Sequence, residues 1–316
     1  MIVDCAREPR GIFRFLLSCH LEHSCLYSGP IAPELEMAAP YLLQLECNNP
    51  ETRRLIELSW GNSWGVFLRS GTSLHKLRRH LREFLIVRDP QGRRMAFRYY
   101  DPRVLRTYLP TCVSEELQTF FGPLECFWTE AKNDPDYMLE FRSEGGTLVK
   151  NTHSLTPKRG SLSTDAQLSE TRVPLDRTVV RERPPEEMIR AQAPRNLPLT
   201  IRPVQMAQFE REEQLKFEDW MAGHLKRFFP AQCARMGDKT VRRVIDSEIA
   251  KAKAYGITTR REVCKYIDLV FTFGKDFEVT GKLPLAAEIL QRRGDGVRKV
   301  SNLMDHARKT LKSQVR

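Results

Sequence analysis

Long apolar runs are missing from this chain. Hydrophobic types make up 41% of its 316 residues, yet no stretch approaches the ~20 consecutive apolar residues that cross a bilayer. Near the start, Asp4, Arg7, Glu8 and Arg10 interrupt the apolar core that a secretory signal needs, so a cytoplasmic location is expected. Paired cysteine motifs are missing too. The eight cysteines stand at irregular spacings without a CxxC, as befits reduced thiols rather than a disulfide framework. Walker A, GxGxxG, GxSxG and HExxH motifs are equally absent. The small turn Gly61-Asn62-Ser63-Trp64-Gly65 lacks the lysine of a phosphate loop and is expected to join a helix to a strand. Seven histidines scattered along the chain define no triad. An enzyme is therefore not expected, and neither a cofactor nor a metal is implied.

Two local clusters invite chemistry and are better read as structure. Cys19, His20, His23 and Cys25 are ligand types for zinc, but neighbours such as Cys19 and His20 point apart on a helix or strand. The helix expected over 11–20 also needs Phe13, Leu16 and Leu17 for its buried stripe. Paired carboxylates at Glu115-Glu116 suit a first helical turn, and those at Glu186-Glu187 suit a solvated linker.

Charge is unevenly shared. The total is +11, but residues 1–149 carry 18 basic and 19 acidic side chains, so the whole positive excess lies beyond residue 149. Such asymmetry points to an acidic partner for that half, or to solvated basic helix faces.

The chain reads as three parts. Residues 1–149 alternate strand and helix signals, with strands expected at 2–5, 24–28, 41–46, 64–69, 84–88, 94–100, 124–129 and 137–143. Helices are expected at 9–20, 50–59, 73–83, 102–109 and 114–121, with caps at Asn49, at Ser73 or Thr72, and at Ser114. Residues 150–203 hold Pro157, Pro174, Pro184, Pro185, Pro194, Pro198 and Pro203 among many charges, a linker composition that builds no core. Residues 204–316 read as helices. Gln205 to Phe229 stops at Pro230, and Val241 to Tyr255 ends at Gly256. Thr259 with Glu262 forms a capping box ahead of Val263, Tyr266, Ile267, Val270 and Phe271. Leu285 to Leu290 is a short helix, and Val297, Val300, Leu303, Met304, Ala307 and Leu311 mark a last amphipathic one. The expected fold class is α+β, a mixed α/β N-terminal lobe followed by an all-α C-terminal lobe.

The most informative stretch is Arg98-Tyr99-Tyr100-Asp101-Pro102-Arg103-Val104-Leu105. It marks a sharp corner, with Asp101 placed to cap a helix and Pro102 at the first helical position. Upstream, 84–88 and 94–100 are expected to form a hairpin across Asp89-Pro90-Gln91-Gly92. With Ala39-Pro40-Tyr41-Leu42-Leu43, Trp64 to Ser70, the helix from Leu74 and Phe120-Phe121-Gly122-Pro123, this order resembles the adaptor/chaperone family that loads toxins onto the VgrG spike of bacterial type VI secretion systems. The resemblance covers about residues 1–130, and the stretch from Tyr255 to Phe277 is similar to the helical extension behind that family's adaptor domain.

The resemblance implies a bacterial, cytoplasmic adaptor that holds the N-terminal segment of a cognate toxin and delivers it to the VgrG spike, with no membrane partner. A cleft between the lobes is the expected seat. Candidate partner-binding residues are Trp60, Trp64, Arg98, Tyr100, Asp101, Arg103 and Trp128, of which Arg98, Tyr100 and Arg103 are expected to be partly exposed. A second surface is the basic C-terminal face with Arg242, Arg243, Lys251, Lys253, Arg260 and Arg261. It raises nucleic-acid binding as the alternative function, although no reader motif accompanies the charge and nucleic acid is not the expected partner.

Overall fold

The opening apolar triplet becomes an inner strand of a sheet. Ile2–Asp4 (β1) is fully buried and pairs antiparallel on both sides. Ile2 faces Leu42 of Pro40–Leu43 (β3) and Val66 of Gly65–Ser70 (β4). His23–Cys25 (β2) flanks β3. Beyond β4 lie Leu124–Glu130 (β7), Tyr137–Glu144 (β8) and Thr147–Ser154 (β9), giving the order β2-β3-β1-β4-β7-β8-β9. Gly65 permits this arrangement. A Cβ there would lie 1.9 Å from the carbonyl oxygen of Ile2, so only glycine lets β4 approach β1 so closely. Ile86–Arg88 (β5) and Arg94–Ala96 (β6) form a separate hairpin.

The computed structural model describes residues 1–132, 134–155 and 199–314. The chain divides into two compact units, Met1–Phe209 and Glu210–Arg316. The N-terminal unit mixes its sheet with helices Pro9–Ser18 (α1), Pro33–Met37 (α2), Pro50–Ser59 (α3), Leu74–Arg82 (α4), Pro102–Tyr108 (α5) and Ser114–Phe121 (α6). The C-terminal unit is built of helices, and the division falls inside Pro203–Phe228 (α7). Pro230–Met236 (α8), Asp238–Ala254 (α9), Arg260–Phe273 (α10), Ala286–Gln291 (α11) and Gly296–Gln314 (α12) follow. The α+β lobe and the all-α lobe are thus both present. Among the described residues, no helix is long and apolar enough to cross a membrane.

Several local expectations are met by specific atoms. The Asn49 side chain accepts from Glu51 N–H at 2.8 Å, and Asp101 accepts from Arg103 N–H at 2.9 Å with Pro102 opening α5. Thr259 caps α10 by accepting from Glu262 N–H. Others differ. Ser73 precedes α4 without a side-chain bond, and Ser114 lies inside α6, whose N-cap is Val113. Glu116 takes over there, accepting from Val113 N–H at 3.0 Å. Leu17 is 73% exposed, and Ile12 joins Leu16 as the buried residues of α1.

The expected strand 94–100 ends at Ala96, and the following residues turn into the core instead. Tyr99 donates through its hydroxyl to Leu81 O at 2.8 Å. β9 was not expected at all: its sequence is polar and largely exposed, and its conformation comes from pairing with β8 along its whole length. It carries the sheet past residue 149, to Ser154. The remainder of the expected linker at 156–198 lies outside the described residues. Leu199 and Ile201 pack into the N-terminal core, and Thr200 bridges Arg88.

At the centre of that core stands Phe120, with ring centroids of Phe84 at 5.0 Å, Tyr108 at 5.4 Å, and Tyr99 and Phe127 at 5.5 Å. Burial of such rings, in mostly edge-to-face pairs, supplies the bulk of the packing energy. The helical unit has its own core around Tyr266, Ile267, Phe277, Ile245 and Leu303.

Candidate functional site

A groove of about 1270 Å³ opens on the N-terminal unit. Its floor comes from cross-strand alignment. Phe67 of β4 faces Trp128 of β7, and Trp128 faces Glu140 of β8, so all three share one face of the sheet. Trp60, at the C-terminus of α3, forms a wall. Its indole N–H donates to Pro135 O at 2.7 Å, and its ring lies 5.7 Å from that of Phe67. The turn after it is held by Glu130, which accepts from Gly61 N–H at 2.8 Å and Ser63 Oγ at 2.6 Å. The Arg69 guanidinium lies 6.0 Å above the Trp128 ring and pairs with Glu125 at 2.6 Å. Ile56 and Leu155 are lining side chains that remain well exposed, at 37% and 49%.

Under this apolar surface sits one carboxylate with every neighbour accounted for. Glu140 is buried and accepts from Arg142 at 2.7 Å, from Trp128 Nε1 and from Asn151 at 3.3 Å, with His153 Nε2 at 3.2 Å. Arg142, aided by Asn151 and His153 against the cost of burial, pulls its carboxyl down to about 2. The charge is spent on orienting Trp128 and clamping β7, β8 and β9 together. The groove therefore has a rigid, electrostatically quenched floor under apolar walls, suited to taking up apolar surface.

Of the expected partner-binding residues, the structure brings Trp60 and Trp128 into this groove and places the others elsewhere. Trp64 is buried at 8% exposure. Arg98 reaches back to the buried Asp4, whose carboxyl is raised because burial outweighs the adjacent guanidinium. Tyr100 is buried, not partly exposed, because residues 97–100 leave the hairpin and no longer alternate as a strand. Asp101 is the cap of α5, and Arg103 returns to it at 2.9 Å. Arg98 and Arg103 hold the corner together while staying partly exposed, as expected. Missed by sequence reasoning were Ile56, Phe67, Met138 and Leu155, whose convergence needs the β4–β7–β8 register.

The basic face is divided as well. Lys251 turns inward to Glu278 and Asp276, while Arg242 pairs with Asp219 and Arg260 with Glu213. Arg243, Lys253 and Arg261 are exposed, with no such partner among the described residues. In the Cys19–Cys25 cluster, His20 pairs with Glu51 at 3.1 Å, His23 Nδ1 faces Leu21 O, and Cys19 donates to Leu16 O. Glu115-Glu116 opens α6 as expected; Glu116 accepts from Arg202 at 2.8 Å and Gln205 at 3.0 Å, tying residues 202–205 to the sheet unit. Glu186-Glu187 lies outside the described residues.

The N-terminal unit is thus an α+β domain that carries an apolar, aromatic-walled groove. Residues 1–119 match the family model described as a domain of unknown function (DUF4123), a family associated with type VI secretion effectors. No curated protein and no solved structure matches the chain.

Proposed function

We propose that this protein is a non-catalytic adaptor that seats the N-terminal segment of a cognate type VI secretion toxin and loads it onto the VgrG spike. The observation that carries the reading is the groove of about 1270 Å³ walled by Trp60 and Trp128 in the unit that holds the family match. It exceeds the ~300–1,000 Å³ usual for small-molecule pockets, and its apolar walls suit an amphipathic helix or an apolar extended peptide. Uptake removes client surface from water at about 25 cal/mol per Å², which needs neither nucleotide nor metal. Release then follows from a tighter complex between client and spike.

Co-expression with the product of the neighbouring gene, followed by affinity purification at about 150 and about 500 mM salt, tests this reading. Apolar association survives the higher salt, where exposed charge pairs are screened. Trp60→Ala and Trp128→Ala should each weaken the complex at least about tenfold, as expected of aromatic anchors in a desolvated pocket. Folded variants of both kinds that bind the toxin unchanged would refute the groove as its seat. Nucleic acid recovered only at low salt, without a protein client, would transfer the function to the exposed Arg243, Lys253 and Arg261.

A further inference from the structure

Three side chains with metal-ligating atoms converge in the C-terminal unit. His224 of α7 faces Cys264 and Asp268, one turn apart on α10. His224 Nε2 lies 2.9 Å from Asp268 Oδ1 and 3.8 Å from Cys264 Sγ, and Cys264 Sγ lies 3.9 Å from Asp268 Oδ2. All three are partly buried, and among the described residues no other group of three such side chains comes together.

The distances discriminate between two chemistries. A nucleophile–base–acid relay needs thiol and carboxylate on opposite ring nitrogens of the histidine. Here sulfur and carboxylate approach the same nitrogen, Nε2, so no proton can pass through the ring from one to the other. Imidazole nitrogen, sulfur and a carboxylate oxygen within 4.8 Å of one another are instead the makings of a coordination face. Bonds of about 2.3 Å to sulfur and about 2.0–2.2 Å to nitrogen and oxygen imply tetrahedral edges of about 3.4–3.6 Å. The Nε2–Oδ1 and Nε2–Sγ separations lie within about half an ångström of that range, and a rotation of the Asp268 carboxylate brings one oxygen toward both partners.

The surroundings hold the geometry. The His224 ring is stacked 5.3 Å from Trp220 and lies 4.6 Å from Phe228, one turn before and one turn after it on α7. The nearby cations are mostly spoken for: Lys216 and Arg260 pair with Glu213, and Lys265 with Glu262. With His224 and Asp268 side chains 18% and 29% exposed, water can reach the fourth position.

We propose that His224, Cys264 and Asp268 bind a divalent transition ion, zinc by donor set, through Nε2, Sγ and a carboxylate oxygen, with water as fourth ligand. Binding forms the metal–sulfur bond and releases the thiol proton to solvent, with no redox change. The ion would cross-link α7 to α10 within this unit.

The test is cobalt(II) titration of the full, reduced chain, with zinc displacement and metal analysis of the washed protein. Expected are one ion per chain, tetrahedral visible bands, a thiolate-to-cobalt charge-transfer band, and a higher melting temperature with zinc. Cys264→Ser should abolish the charge-transfer band, and His224→Gln or Asp268→Asn should weaken affinity at least about tenfold. Cys25→Ser, at the histidine-rich cluster of the other unit, should change nothing. Absence of stoichiometric binding, or a charge-transfer band that persists in Cys264→Ser or is lost in Cys25→Ser, would overturn the assignment. Circular dichroism of each variant separates lost binding from lost fold.

Discussion

In the N-terminal unit, Asp4, Asp101, Glu130 and Glu140 are all buried, each engaged by partners from the surrounding chain. In the C-terminal unit the pairs Arg242–Asp219, Arg260–Glu213 and Lys226–Asp238 lie on exposed surface, while Glu218, Glu248, Glu262 and Glu278 are buried on or beside its helices. The difference follows from architecture. A sheet assembled from strands distant in sequence drags its connecting loops over the core, and their polar groups must be satisfied there. Helices satisfy their own backbone and leave charged side chains on the outward face. Asp4 and Glu130 in the first unit thus hold pairings between distant parts of the chain, whereas buried Glu262 of the second bonds within one helical turn and its exposed pairs decorate a fold set by apolar stripes.

Perturbing the two units should separate these roles. The largest effect is expected at the aromatic centre: Phe120→Ala should cost about 3–5 kcal/mol, read from the urea midpoint of Trp60, Trp64 and Trp128 fluorescence. A cost below about 1 kcal/mol would mean that Phe120 does not anchor the sheet unit. Next is Glu140→Gln, which leaves Arg142 and its neighbours short of an anionic acceptor, at about 1–3 kcal/mol near neutral pH. Because folding lowers this carboxyl from its ordinary 4.5 to about 2, its stabilisation is present above 4.5 and is lost as pH falls toward 2. The gap between wild type and Glu140→Gln should therefore narrow across that window, and a gap that stays constant in acid would contradict the assigned network.

Asp101→Ala removes the cap of α5 and should cost about 0.5–2 kcal/mol; Asp101→Asn, which keeps an acceptor, should recover part of it in the same thermal melts. Smallest is Arg242→Ala on the helical unit, where an exposed pair contributes about 0–1 kcal/mol and fades with salt. A loss there as large as that of Glu140→Gln would erase the contrast between the units.

Much of the helical unit was legible in the chain. The spacing of Val241, Ile245 and Ala252, the Thr259 cap and the run from Val263 to Phe271 each map onto buried helix faces, because helical periodicity is local. In the sheet unit, caps and corners such as Asn49 and Asp101-Pro102 were equally legible. β9 was not, since Thr147–Ser154 is mostly exposed and owes its conformation to pairing with β8. Tyr100 misled for a related reason: alternation presumes a strand, and the strand ends at Ala96.

By itself the sequence determined the fold class, the helical character of the second half and local caps such as Asn49, Asp101 and Thr259, since propensity, capping and apolar period act over a few residues. Only the tertiary structure decided that Phe67, Trp128 and Glu140 share one face, that Arg98 serves Asp4, and that His224 meets Cys264 and Asp268 across 40 and 44 residues of chain. Those meetings depend on strand register and helix packing, which are settled by burial of the whole core and leave no mark at any single spacing in the chain.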